Sequence, residues 1–397
     1  MATVDSALDD YLRSRDAQCA SVAFMVPVNL KPLDLSLPQT LGNEFALVQL
    51  ELLTNVPGPP IPVYPAGAMF FRVRLDGVAS SFAGVRVGIV GAGIAGLACA
   101  EGLSGRGHEV VVFDKGRGPG GRMSTRRFDT SQGEAHFDHG AQYFTVRDPA
   151  FQAQVSAWAA DGVVAPWPAA GSDAYVGVPG MNSLVRELAG RHDVHWSALV
   201  TGVERHDDGL VLRVGAGEVG DIDLVVIAIP AEQAAALLAD TAPDLAALAG
   251  AAVSEPCWTV MAAFSEPVAA ERDCWAGSGD GVVGWAARNN AKPGRTGPES
   301  WVVQAAPAWS RRHIDADSDA VTADLVAALS TALGVTLPAR IGVAAHRWRF
   351  ARSAPGGPGV ILDPDRGLGL CGDWLIGPRV ESGWLSGTDL AERIGTE

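Results

Sequence analysis

The segment spanning residues 85–127, VRVGIVGAGIAGLACAEGLSGRGHEVVVFDKGRGPGGRMSTRR, constrains the fold more than any other part of this 397-residue chain. It predicts a buried strand over residues 85–90, a glycine turn, a small-residue helix over 94–106 and a second strand over 109–113 that ends on Asp114. Gly91, Gly93 and Gly96 form a G-x-G-x-x-G. The first glycine permits a tight reversal, and the second lets a pyrophosphate approach the backbone. The third brings helix and strand together, so that phosphates meet the helix N-terminus. Asp114 stands 18 residues beyond Gly96, where a carboxylate accepts ribose hydroxyls. A glycine pattern alone is weak. Strand, helix and acid at the right distance together specify a dinucleotide-binding unit.

The residues after Asp114 separate the two common dinucleotides. A nicotinamide dehydrogenase runs on into another helix. Here Lys115-Gly-Arg-Gly-Pro-Gly-Gly-Arg122 is too rich in glycine and proline for regular structure. It places the Arg122 guanidinium just beyond the ribose-binding acid, where its fork suits phosphate oxygens or a flavin ribityl chain. Arg117, Arg122, Arg126 and Arg127 cluster here, so charge alone is also compatible with a solvated basic loop.

The arrangement resembles the flavin-containing amine oxidase superfamily and, within it, the renalases. The superfamily likeness lies in the fingerprint, Asp114 and the G-G-R loop. The renalase likeness lies in GGRMSTRR (120–127), DHGAQYFT (138–145), VPGMNSLVREL (178–188), HRWRFA (346–351) and LCGDWLIGPRVESGWLSG (370–387). Together these span residues 85 to the C-terminus, and residues 1–84 have no counterpart. The resemblance implies non-covalent FAD, with Gly91, Gly93, Ala95 and Gly96 on the pyrophosphate and Asp114, followed by Lys115, on the adenosine ribose. It sets Arg122 along the cofactor and Gln142 and Tyr143 at the flavin ring. Val200 lies at the adenine, Gly372 and Asp373 at the ribityl and phosphate end, and Ser382, Gly383, Trp384 and Leu385 near the isoalloxazine. Gln142, Tyr143 and Trp384 are the expected flavin-face, substrate-orienting residues.

The implied fold class is α/β: a Rossmann-type FAD-binding domain with an inserted mixed-sheet α+β substrate domain, as in amine oxidases. The cofactor domain is expected to be discontinuous (85–150, 175–230 and 342–397), with 151–174 and 231–341 forming the substrate domain. The implied reaction is oxidation of 2- or 6-dihydro isomers of NAD(P)H to NAD(P)+, with O2 reduced to hydrogen peroxide. The competing reading within the superfamily is an amine oxidase or desaturase. A non-catalytic flavin-binding protein is the alternative of another class.

Composition excludes several roles. Hydrophobic residues make up 48% and charged residues 19%, enough for a large core. A net charge of −15 argues against a nucleic-acid surface. Cys19, Cys99, Cys257, Cys274 and Cys371 stand singly without a C-x-x-C, as in a reducing compartment, and no metal-ligand spacing occurs. With no apolar run of membrane length and no signal-peptide pattern, a cytoplasmic protein is expected. The sequence carries no signal for oligomeric state.

Within the cofactor and substrate regions, helices are expected over 151–162, 182–191, 232–239 and 320–333. A hairpin is expected over 194–206 and 209–214, and a buried strand over 222–229. Further strands are expected over 259–264, 282–286 and 301–305, with 340–345 leading back to the cofactor domain. Of 11 tryptophans, Trp258, Trp275, Trp285, Trp301 and Trp309 fall in the substrate region, where most belong to the core and one or two suit stacking on a ring. His313 and His346 have no partner adjacent in sequence to mark a catalytic dyad.

Residues 1–84 hold eight of the 25 prolines, which forbid continuous sheet or helix there except for a strand over 45–53. They are expected to be poorly ordered. Two explanations compete: an appended segment, or an over-extended start with true initiation near Val85, the second being favoured.

Overall fold

The computed structural model describes residues 47–52, 71–76, 84–207, 209–277, 281–354 and 356–395. The chain divides into two units, 1–81 with Glu397, and 82–396. In the first, strands Leu47–Leu52 and Phe71–Asp76 pair antiparallel; the expected poor order of the rest lies outside the described residues.

The second unit is built around a six-stranded sheet in the order Asp193–Trp196, Glu109–Asp114, Arg86–Val90, Leu224–Ile227, Leu368–Leu370, Ile361–Asp363. The first five run parallel, and the last is antiparallel to its neighbour. Val87, Ile89, Val112, Leu224 and Val226 are buried to 1% exposure or less, as in a sheet covered on both faces. The strand expected over 222–229 is Leu224–Ile227, and it does rejoin the parallel sheet. The hairpin expected over 194–214 divides. Asp193–Trp196 is the parallel edge strand, Ser197 turns the chain at φ 57, and only then does Val200–His206 pair with Gly209–Val214 and Gly217–Ile222. Alternating hydrophobicity runs through both strands, so periodicity alone does not mark that turn.

The fingerprint helix, Ile94–Ser104, packs on the terminal helix, Val380–Ile394, through small residues. A Cβ on Gly383 would lie 2.9 Å from Ile94 Cγ2, and one on Gly387 only 2.0 Å from the Ala95 carbonyl oxygen. Backbones therefore approach where any side chain would separate them.

Strands Cys274–Ala276, Val283–Arg288, Glu299–Ala305, Ser254–Phe264 and Arg340–Ser353 form a second sheet in that order. Expected to be mixed, it is antiparallel throughout; the mixed pairing belongs to the cofactor sheet. Both of its faces are covered, which explains the unbroken apolar run Val260–Phe264 within Ser254–Phe264. Trp258, Val260, Ala262 and Phe264 meet the helix Ser318–Leu333, while Met261 and Ala263 meet Phe137 and Ala135 of the hairpin Thr125–Thr130/Gly133–Asp138. Arg340–Ser353 pairs along nearly its whole length with Ser254–Phe264, so the chain re-enters the cofactor sheet only at Ile361.

Gly387→Ala forces the two helices apart and lowers stability by about 1–3 kcal/mol, the usual range for overpacking. A thermal melt reads this as a drop of several degrees, while Gly217→Ala, whose Cβ meets nothing closer than 3.9 Å, leaves the midpoint unchanged. Equal melting of both variants contradicts the close-approach argument.

Candidate functional site

The fingerprint turn is built around exclusion of side chains. Gly91 holds φ 109, and a Cβ there would lie 2.6 Å from the Ala228 carbonyl oxygen; at Gly96 one would lie 2.0 Å from the Gly91 carbonyl oxygen. Gly93 is different. It heads the helix with no side-chain cap, and nothing lies within 4 Å of its would-be Cβ. Free first-turn N–H groups therefore face open space, an arrangement suited to a diphosphate. Asp114 Oδ2 accepts from the Ala92 amide at 2.8 Å and Oδ1 from Gly116 at 2.6 Å, which locks the carboxylate beside the turn while each oxygen keeps a second lone pair. Ser197 and Ala198 donate to the carbonyls of Gly116 and Asp114, and this draws Val200 toward the same end of the sheet. Lys115, by contrast, turns outward to Gln233 Oε1 at 2.9 Å.

The G-G-R loop and the C-terminal Gly372-Asp373 meet. Arg122 makes a bidentate pair with Asp373, with contacts of 2.9 and 2.5 Å, so its fork is engaged by a carboxylate of the protein. Gly121 stands at φ 51 with no neighbour within 4 Å of its would-be Cβ. Next to this pair, Trp374 Nε1 and Ser382 Oγ are buried without a hydrogen-bond partner. Buried donors are normally satisfied, so orphaned groups beside an uncapped helix end fit a polar cofactor that completes them. Gly383 and Leu385 lie on the same helix, Gly383 against Ile94. Trp384 stacks obliquely on Phe151, 5.4 Å between ring centres, within the core. Cys371 is buried and pairs with the Cys99 thiol, which is pushed up by that hydrogen bond and by burial.

A charged cluster that the sequence did not mark lies at the centre. Asp138 is fully buried, and its Oδ1 accepts from Thr125 Oγ1 at 2.8 Å and the Met181 amide at 2.9 Å. Its Oδ2 accepts from Arg295 at 2.6 Å and Lys292 Nζ at 3.2 Å. Burial alone would raise the Asp138 carboxyl, but Lys292 and Arg295 outweigh it and hold the group at about 2. Burial likewise lowers Lys292 to about 8, against the pull of Asp138. Lys292 also donates to Gln142 Oε1 at 3.3 Å, while Gln142 Nε2 donates to the Asp138 carbonyl.

Opposite the segment 139–143 the second sheet presents one transverse row. Trp285 pairs with Gln304, Gln304 with Thr259 and Thr259 with His346. Directly opposed residues on antiparallel strands share a face, so these four side chains project together. His346 meets the His139 ring at 5.0 Å, Gln304 Nε2 donates to the Gly140 carbonyl at 2.7 Å, and Trp285 meets the Tyr143 ring at 5.2 Å. The structure thus brings Gln142 and Tyr143 together beneath the row, with Trp384 placed on the Phe151 core. Burial, then His346 and Arg126, lowers His139 to about 4; burial and Arg126 lower His346. Burial raises the Tyr143 phenol. At neutral pH these rings are uncharged.

Among the described residues, no group of three His, Cys, Asp or Glu side chains is placed to hold a metal ion, and no helix is long and apolar enough to cross a membrane.

The unfolded Asp138 carboxyl titrates near 3.8 and the folded one at about 2, so between those values the unfolded chain binds more protons. The stability contributed by the cluster is therefore complete above about pH 4 and drains as pH falls toward 2. Urea midpoints measured across that window fall for the native chain and stay flatter for Asp138→Asn; parallel curves contradict the assignment.

Residues 89–158 match the NAD(P)-binding Rossmann-like domain family, and residues 168–395, over half of the chain, match the flavin containing amine oxidoreductase family. Among solved structures, a protein assigned as a protoporphyrinogen oxidase from Exiguobacterium sp. 255-15 superposes with a TM-score of 0.62 at 15% identity, over 79% of this chain and 99% of that one. Cyclohexylamine oxidase from Brevibacterium oxydans IH-35A gives 0.57 at 15% identity, and putrescine oxidase bound to putrescine gives 0.58 at 14%, each over 79% of this chain and 99% of the other. At such identities the superpositions establish the fold alone. The chain belongs to the flavin-containing amine oxidoreductase family and is an FAD-dependent oxidoreductase.

Proposed function

We propose that this enzyme oxidises the 2- or 6-dihydro isomers of NAD(P)H to NAD(P)+, as the renalases it resembles do. The observation that carries the reading is the charge of the ground beneath the row. Asp138 and Asp373 are committed to Lys292, Arg295 and Arg122. Asp173, which acts on Tyr143, is half-buried beside Arg147. Glu381, also buried, is paired with Arg379, so among these described residues an alkylammonium substrate would meet carboxylates that already hold cationic partners. A dinucleotide bearing a neutral dihydropyridine and phosphates finds a compatible field.

The chemistry asks little of the side chains. Gln142, polarised by Lys292, and Tyr143, wedged against Trp285, pack on the row Trp285–Gln304–Thr259–His346 and form one continuous surface with it. The surface that they form together would hold a planar ring in a fixed orientation and supplies no acid or base. No proton leaves carbon, because loss of hydride makes the product ring aromatic; neutral His139 and His346 add no positive charge against that forming cation. When bound, FAD would supply the electron sink for that hydride, and O2 would take up the two electrons and, with one further proton from solvent, leave as hydrogen peroxide. In the holoenzyme, Gly91, Gly93, Ala95 and Gly96 hold the diphosphate, Asp114 the ribose, Val200 the adenine, and Gly372, Asp373, Ser382, Gly383 and Leu385 the ribityl and ring end.

An amine oxidase is the second reading, favoured by the cage that Tyr143, Trp285 and Trp167 form. Anaerobic mixing separates the two. The flavin bleaches with 2- or 6-dihydro-NAD(P) and not with ordinary β-NADH, cyclohexylamine or putrescine; bleaching by an amine alone overturns the proposal. Asp114→Ala loses FAD roughly tenfold or more readily, the effect of removing charge-assisted hydrogen bonds of about 1.5–3 kcal/mol. Its remaining holoenzyme keeps its rate of flavin reduction, and unchanged FAD retention on gel filtration removes Asp114 from that role.

A further inference from the structure

We propose that Lys292 is a positioning residue for the electron-transfer step: with Arg295 and Asp138 it holds a buried surplus of one positive charge beside the flavin ring and so favours the reduced cofactor. The inference rests on the function proposed above and on the placement of that ring against Gln142 and Tyr143 that the family resemblance implies.

The count of charges carries the argument. Lys292 is 2% exposed, Arg295 8% and Asp138 fully buried, so two cations share one carboxylate out of reach of water. Asp138 does not need both. Its Oδ1 is filled by Thr125 and Met181, and its Oδ2 already takes the shorter contact from Arg295. A second buried cation is disfavoured unless something compensates it. Lys292 spends its remaining donors on Gln142 Oε1 and on the face of Trp167, 5.3 Å from the ring centre, neither of which carries charge. Cys274 is the other titratable group acting on it, and burial keeps that thiol protonated. The uncompensated charge therefore points along Gln142 toward the segment 139–143.

Hydride transfer supplies the missing partner. The substrate C–H bond breaks with both electrons, and the oxidised, neutral isoalloxazine gains two electrons and one proton, which leaves it with one negative charge. The substrate ring departs with one positive charge. A fixed cation in a dry site stabilises that anion without reorganising. The lowered position of Lys292, about 8, adds a signature: reduction restores its affinity for a proton, so above pH 8 the site takes up a second proton with each electron pair.

The test is the two-electron potential of the holoenzyme against pH, read by dye-equilibrated absorbance, for the native chain, Lys292→Met and Lys292→Arg. The native enzyme takes up one proton per electron pair below pH 8 and two above it. Lys292→Met takes up one throughout, and its equilibrium constant for reduction at pH 7 falls at least tenfold, about 30 mV for a two-electron couple. Lys292→Arg keeps the native potential. A structural role alone would move the melting temperature and leave the potential in place. If Lys292→Met does not fold, Lys292→Gln carries the same test, and a potential at pH 7 unmoved from the native value overturns the proposal. Gln142→Leu, read by the visible flavin spectrum, separates the two failures. A shifted spectrum with an unmoved Lys292→Met potential rejects the charge and keeps the ring placement; an unmoved spectrum and potential reject both.

Discussion

Asp138 is the carboxylate on which the active-site region converges. It ends the hairpin that follows the G-G-R loop, accepts from Thr125 of that hairpin and from Met181 just before the helix Ser183–Ala189, and takes Lys292 and Arg295 from the loop that joins Val283–Arg288 to Glu299–Ala305 of the second sheet. Three separate stretches of chain therefore meet at two oxygen atoms. An ionised carboxylate in a dry interior persists only with such a full set of donors. The segment 139–143 leaves directly from it, so the position of Gln142 and Tyr143 is set by the same charges that join the two sheets.

The cofactor half was legible because its chemistry forces local sequence. Gly91 and Gly96 cannot carry a Cβ, and Asp114 must end the second strand; these demands leave a pattern that adjacent residues display. Close packing of Gly383 and Gly387 on the fingerprint helix follows from the same rule. Cross-strand register leaves no such trace. Trp285, Gln304, Thr259 and His346 are scattered over more than sixty residues and become neighbours only through pairing. Lys292-Pro-Gly-Arg295 carries the composition of an exposed turn, and sequence rules assign it to solvent. Its burial is decided by Asp138, far away in the chain. The misplaced hairpin boundary has a local cause: Ser197 takes a left-handed turn that its residue type does not announce. Trp384 resembles a flavin-face residue by motif, yet helix geometry directs it onto Phe151.

A consistent division of labour follows. The cofactor sheet supplies an uncapped helix end and orphaned donors, which a polar dinucleotide satisfies. The antiparallel sheet supplies a flat, uncharged row of mixed hydrogen-bonding capacity. Between them the field is positive, because the buried carboxylates are outnumbered by the cations that hold them. Under the proposed function, such a site would select by ring orientation and charge, not by acid–base strength, and its neutral imidazoles would add no charge against a forming pyridinium.

The most direct measurement is electron density for the holoenzyme soaked with its proposed product, NAD+. The proposed function predicts the nicotinamide ring parallel to the flavin and against the surface that Tyr143, Trp285 and Gln304 form. A nicotinamide found elsewhere, or a pocket that excludes NAD+ while admitting an alkylamine, contradicts it.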